Sequence, residues 1–247
     1  MKKRILYRMS LIICTAGLLL CGERLFVQWK EYRAGEASYD TLTEEAVAFT
    51  RENPEEDSLG VTLPEVDFNA LELINPDLVG WLYCPDTVIS YPVVQGEDNT
   101  YYLKHLFDGT QNSAGCLFLD SRCEGLAGAN SVIYGHHMKN GTLFAALEHY
   151  QDPAYYEDHP SMYLLTPEGT LVIELFSAYV TAAEGEAWQL SFSTEEEFGS
   201  WLEQAQERSC FESDVTPRTT DRVITLSTCD YSYEDARFVC HGIIKMI

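Results

Sequence analysis

Basic side chains are scarce in this 247-residue sequence: sixteen Lys and Arg stand against thirty-nine Asp and Glu, a formal charge of −23. A polyanion of that size is repelled by phosphate backbones, and no concentrated basic patch follows the first residues, which excludes general nucleic-acid binding. Gly-rich phosphate loops, HExxH, EF-hand and GxSxG patterns are all missing, so nucleotide, metalloprotease, calcium and serine-hydrolase readings have no local support. No Cys-x-x-Cys or Cys-x-x-His pair occurs, and the adjacent His136 and His137 would point to opposite faces of a strand; neither a metal nor another cofactor is expected. Internal repeats and low-complexity tracts are absent too. What is present is 46% hydrophobic and 12% aromatic residues, with fifteen Tyr and four Trp. That composition belongs to a folded domain carrying excess acid, long enough for one sizeable core and a small appendage.

The charge is unevenly placed. Residues 1–33 hold seven basic side chains (Lys2, Lys3, Arg4, Arg8, Arg24, Lys30, Arg33) and two acidic ones, a balance of +5, which leaves −28 for the remainder. A basic start followed by the uncharged run Met9 to Gly22 has the form of an export signal or membrane anchor with its positive end inside. Fourteen uncharged residues fall short of the roughly 20 that span a bilayer, but Leu25, Phe26, Val27 and Trp29 extend the apolar surface and Arg8 and Arg24 can snorkel. No small-x-small cleavage site follows closely, and Leu18, Leu19 and Leu20 before Cys21 argue against lipid modification. The expectation is an uncleaved single-pass anchor over residues 1–33, the amino end cytoplasmic and the domain extracellular.

Residues 34–66 are rich in Glu, Asp and Thr and read as an acidic stalk outside the core, with a lead-in helix at Thr43 to Arg51 and a turn at Asn53-Pro54. From Asp67 to the carboxyl end the pattern is that of a domain. Strand candidates are Gly80 to Cys84, Val88 to Val94, Gly115 to Leu119, Ser131 to His136, Met162 to Thr166, Leu171 to Thr181, Val223 to Thr228 and Phe238 to Lys245. Short strands with turn signals between them describe a barrel or sandwich. Helices are few: short ones at Asn99 to Phe107 and Thr142 to Tyr150, and a clear one from about Glu195 to Arg208. Thr194-x-x-Glu197 forms its capping box, and Phe198, Trp201, Leu202 and Ala205 form one apolar stripe. Six cysteines lie beyond the apolar run, but a domain this large has core enough without staples, and no obligatory disulfide framework is read.

With the common motifs gone, cysteine and histidine carry the chemistry. Cys229 ends the strand that starts at Arg222 and opens a polar turn, Asp230 to Ala236. Period-two alternation puts Thr225, Ser227 and Cys229 on a polar face opposite Ile224 and Leu226. A hairpin closed by that turn sets Arg237 beside Cys229, where a guanidinium favours the thiolate and can hold an oxyanion. His136 sits at the end of its strand, as suits a catalytic imidazole. His137 competes with it, and spacing alone does not separate the two. His105, His149, His159 and His241 read as surface or packing residues.

Five ordered motifs, INPDLVGW (Ile74–Trp81), YPVVQG (Tyr91–Gly96), DNTYYL (Asp98–Leu103), YGHHMK (Tyr134–Lys139) and TLSTC (Thr225–Cys229), make the chain from about Asp67 onward resemble a class B sortase, a Gram-positive cell-surface transpeptidase. The resemblance implies a mainly β fold, a closed eight-stranded barrel with an N-terminal helical extension and a helix in the loop before the cysteine strand. It selects His136 over His137, names Cys229 the nucleophile and Arg237 the arginine of the following strand, and carries groove-lining roles to Asn99, Tyr134, Ser227 and Thr228. The implied partners are the C-terminal sorting-signal peptide of a secreted protein, cleaved after Thr, and an amine of a peptidoglycan precursor or a pilin. Cys240 is not part of that pattern and is assigned to packing.

A papain-like protease is disfavoured because its cysteine precedes its histidine and its Cys-Gly-x-Cys-Trp signature is missing. Caspase-like order fits better, but its cysteine motif and α/β alternation do not. A non-catalytic surface receptor with Cys229 buried is the remaining alternative, opposed by Cys229, Arg237 and His136 all falling at strand ends.

Overall fold

The computed structural model describes residues 2–48 and 61–247. One long helix, α1 (Lys2–Ala46), leads into a two-strand pair, β1 (Val47–Ala48) and β2 (Glu65–Val66), and a short helix, α2 (Phe68–Ile74). The Asp67 carboxylate caps α2 by accepting from Ala70 N–H at 3.0 Å. Then come β3 (Leu78–Tyr83), β4 (Ser90–Val94), β5 (Leu117–Leu119) and β6 (Asn130–Tyr134). After a 3₁₀ turn at Phe144–Gln151 follow α3 (Pro153–Asp158), β7 (Ser161–Thr166), β8 (Gly169–Ala182), α4 (Glu195–Glu207), β9 (Val223–Cys229) and β10 (Ala236–Met246).

Strands β3 to β10 close into a barrel in the order β10-β8-β7-β3-β4-β5-β6-β9. Two neighbouring pairs, β4/β5 and β6/β9, are parallel and the rest antiparallel. This is the expected eight-stranded barrel, and every expected strand segment forms. The long strands β8 and β10 bend around the barrel, with a register shift at His241/Gly242. A side chain at Gly242 would lie 2.5 Å from Ile173, so the bend needs glycine there.

The barrel has two apolar layers. The larger cluster joins the barrel interior to the elements packed around it and includes Trp81, Leu82, Leu117, Ile133, Leu164, Ile224, Leu226, Phe238 and Cys240. A second cluster lies on the outer face of β8, β9 and β10 under α4, where Phe198, Trp201, Leu202 and Ala205 meet Phe176, Val223, Val239 and Ile243. The stripe read from the sequence is thus packing. The cap of α4 forms at Thr194, whose Oγ1 accepts from Glu197 N–H at 3.1 Å; the Glu197 carboxylate reaches back to Ser193 N–H at 2.6 Å.

Two boundaries differ from the sequence reading. α1 runs through residue 33 without a break, because nothing between Gly22 and Ala46 stops a helix. Residues 34–46 also do not stand clear of the domain: Tyr39, Leu42 and Ala46 are buried in the core, and Tyr39 donates to the Gly115 carbonyl at 2.6 Å. Glu, Asp and Thr dominate the composition there, but they lie on the outward face of a helix whose inward face is apolar. The lead-in helix expected at Thr43 to Arg51 ends at Ala46, and its remaining positions beyond residue 48, with the Asn53-Pro54 turn, lie outside the described residues.

Candidate active site

The β9/β10 hairpin pairs Cys229 with Arg237 directly across the ladder. Opposed residues share a face with Cβ atoms about 5 Å apart, so thiol and guanidinium project together at the barrel's end. Both are partly exposed. Arg237 Nη1 donates to the Ala236 carbonyl at 2.9 Å, and among the described residues the guanidinium makes no ion pair.

The histidine arrives from the other side. β6 runs parallel to β9 with Tyr134 level with Ser227, and Gly135 N–H continues the ladder to the Ser227 carbonyl at 3.1 Å. Both strands run on toward the same end of the barrel, β9 to Cys229 and the β6 segment to His136. The strand itself ends at Tyr134, so His136 lies just past it rather than within it as its sequence suggested. A Cβ at Gly135 would meet Leu117 at 2.4 Å and Phe144 at 2.6 Å. Only glycine lets the chain turn there so close to the 3₁₀ segment.

His136 and His137 are held differently. His136 Nε2 lies 2.8 Å from the Leu103 carbonyl, and its own carbonyl accepts from Phe144 N–H at 3.1 Å. A carbonyl only accepts, so Nε2 carries the proton and Nδ1 is the nitrogen free to exchange one. His137 instead pairs through Nε2 with Glu148 at 3.0 Å, and its ring packs against Tyr231, whose hydroxyl donates to the His137 carbonyl at 3.3 Å. Burial, then Cys229, Tyr32 and Glu148, pushes the Tyr231 hydroxyl up.

The polar face shared by Thr225, Ser227 and Cys229 is not open along its length. The α4 layer and the β8–β9 connection cover it, and it emerges only at Cys229. Ser227 Oγ accepts from Trp188 Nε1 at 3.0 Å, which ties the Glu186–Trp188 turn to the site strand. Thr225 Oγ1 donates to Asn130 Oδ1 at 2.8 Å and lies 2.9 Å from His241 Nδ1. His241 Nδ1–H therefore donates to Thr225, and Nε2 accepts from the Tyr179 hydroxyl at 3.2 Å. Full burial pushes His241 down to about 3, neutral in the folded chain. Thr228, by alternation, faces away from Cys229; it is buried, and its Oγ1 has no partner among the described residues.

Asn99 and Tyr134 meet around a residue the sequence reading did not single out, Asp120. Its fully buried carboxylate accepts from Tyr134 Oη at 3.0 Å and from Arg122 Nε and Nη2 at 2.9 and 2.7 Å. Asn99 also bonds it, and Asn99 Oδ1 accepts from Ser121 N–H at 2.8 Å. Burial opposes the charge, but the bonds from Arg122, Asn99 and Tyr134 outweigh it and hold the carboxyl well below the usual range. Burial and the same carboxylate push the Tyr134 hydroxyl up. The Asp120-x-Arg122 spacing just past a strand was the available signal. Every described cysteine is a free thiol; burial raises Cys84 to about 11 and Cys116 to about 12. Among the described residues no three His, Cys, Asp or Glu side chains form a metal set.

A closed mixed barrel presenting a cysteine, a cross-strand arginine and a histidine just past the parallel neighbouring strand can support cysteine acyl transfer. The sortase domain pattern matches residues 82–244. Sortase B of Listeria monocytogenes is 32% identical over 91% of this chain and 93% of its own length, and Sortase B of Staphylococcus aureus is 29% identical over 91% and 89%. Among solved structures, a Staphylococcus aureus sortase B–substrate complex superposes with a TM-score of 0.76 at 29% identity, covering 88% of this chain and 99% of that one. Sortase B from Bacillus anthracis in complex with AAEK1 gives 0.74 at 32%, covering 89% and 100%. The chain belongs to the sortase family, class B, and is a cysteine transpeptidase.

Proposed function

We propose that Cys229 is the nucleophile, His136 the acid and base, and Arg237 the oxyanion holder of a transpeptidation that joins a secreted protein to an amine at the cell surface. The observation that carries this is the double register of β9, antiparallel to the strand of Arg237 and parallel to the strand Asn130–Tyr134 that His136 follows. The Cys229 thiolate attacks the carbonyl of the threonine in a sorting signal, and Arg237 with backbone N–H groups stabilises the oxyanion. His136 Nδ1, having taken the Cys229 thiol proton, passes it to the leaving amine as the C–N bond breaks, which leaves a thioester. The amine of a peptidoglycan precursor or pilin then attacks; His136 Nδ1 takes its proton, and the thiolate departs. Asn99 and Tyr134, oriented by Asp120, shape the groove, and the buried Ser227 and Thr228 support it from within the cysteine strand. That a similar Staphylococcus aureus sortase B binds substrate as a complex supports a peptide as the first partner.

The region Tyr7–Ala46 of α1 contains a window with mean hydropathy 1.8, none of it buried, and is long and apolar enough to cross a membrane. With the basic residues before it, this supports a single-pass anchor with the barrel outside. The test is a peptide-library cleavage assay on the barrel domain with mass spectrometry of the trapped thioester. Cys229→Ala should form none while keeping its circular dichroism and melting temperature. A thioester on another cysteine, or retained transfer, refutes the assignment.

A further inference from the structure

α1 does not release the barrel where its apolar part ends. The uncharged run closes at Gly22, and only nine residues later Glu31 is clamped: its carbonyl accepts from Asn112 Nδ2 at 2.9 Å and its carboxylate from Ser113 N–H at 2.8 Å. Contact begins earlier still. Phe26, Val27 and Lys30 line one wall of a hollow whose other wall is the loop Leu106, Asp108, Thr110, Gln111 and Asn112. Phe26 and Val27, more than half exposed, turn apolar surface to solvent beside a polar loop.

Helix geometry converts this into height. At 1.5 Å per residue, Glu31 lies only about 3 Å past Trp29, where the apolar surface that completes the span ends, within a headgroup layer of about 5–8 Å on each side of a 30 Å hydrocarbon core. The loop is rigid: Leu106 N–H bonds the Thr110 carbonyl at 2.9 Å, Gly109 N–H the Leu106 carbonyl at 2.9 Å, and Asn112 N–H the Lys104 carbonyl at 2.9 Å. Resting on the membrane-anchor reading above, we propose that the barrel stands directly on the membrane, with the Lys104–Asn112 loop seated among lipid headgroups and no flexible stalk between. The occupant is the bilayer and not a protein partner, because the helix that carries the loop's contact is the one that enters the bilayer. Leu103, at the foot of this loop, is the residue whose carbonyl holds His136, so membrane seat and active site share one short segment.

The test uses the full chain in nanodiscs of phosphatidylcholine and phosphatidylglycerol doped with headgroup-nitroxide lipid. A genetically encoded fluorophore at exposed Gln111 should be quenched several-fold more than the same fluorophore at Glu203 on α4. A flexible Gly-Ser insert of about ten residues between Trp29 and Lys30, which frees the barrel by roughly 17 Å, should reduce the Gln111 signal to the Glu203 level. A chain that stays in the nanodisc with Gln111 quenched no more than Glu203, or quenching that survives the insert, overturns the seating alone. A chain absent from the nanodisc fraction overturns the anchor reading and this proposal with it.

Discussion

Which histidine serves Cys229 is a matter of hydrogen bonds that lie outside the local sequence. Both histidines spend Nε2, His136 on the Leu103 carbonyl and His137 on Glu148, but His137 buries its Nδ1 and packs its ring against Tyr231. His136→Ala should therefore abolish turnover while His137→Ala is mild, and the reverse order in steady-state assays refutes the choice. Arg237→Lys should lower kcat severely with KM little changed, since a point charge cannot replace a planar fork of donors; near-normal kcat would remove Arg237 from the oxyanion role. His241 gives a stability prediction. Its folded value, about 3, is below the ordinary 6.5, so between those pH values the unfolded chain binds a proton that the folded chain refuses. This contribution is complete above pH 6.5 and is lost as pH falls, about 3 kcal/mol by pH 4. Melting temperature in His241→Gln should depend less steeply on pH between 6.5 and 4; an unchanged slope would refute the linkage. Cys229, Arg237 and the two histidines were legible as strand-end residues. Asp120 was not, because a carboxylate beside an arginine reads as surface until burial gives it three partners.

At the scale of elements, α4 is legible almost to the residue, since a cap and an i, i+3, i+4, i+7 stripe are local signals. Its purpose is not local. Trp201 fills the outer layer and donates Nε1–H to the Glu186 carbonyl at 2.9 Å, fastening the turn whose Trp188 holds Ser227. Trp201→Ala should cost about 3–5 kcal/mol in urea unfolding and raise KM for peptide more than it lowers kcat. A loss under about 1 kcal/mol would mean the layer repacks without it. Helix α1 shows the opposite case. Its acidic composition suggested a free stalk, yet Tyr39, Leu42 and Ala46 recur at helical spacing and need the barrel surface to become a core face.

Across the whole molecule, the split of charge into +5 and −28 sets a basic amino-terminal segment apart from an acidic domain, and the acid excess predicts how the domain meets amines. Acyl transfer to a cationic acceptor should slow as ionic strength rises from about 0.01 to 0.15 M, where the Debye length falls from about 30 to 8 Å; insensitivity would reduce the acidity to a solubility device. By itself the sequence determined the strands, the capped helix, the apolar amino-terminal segment and the residue types of the candidate site, because alternation, capping and hydropathy act over a few neighbours. Only the tertiary structure decided that β6 and β9 lie parallel and in register, that α4 covers the polar face up to Cys229, that Asp120 organises Asn99 and Tyr134, and that α1 binds the barrel. Each of these depends on pairing segments tens of residues apart, and closure of the barrel settles such pairings all at once.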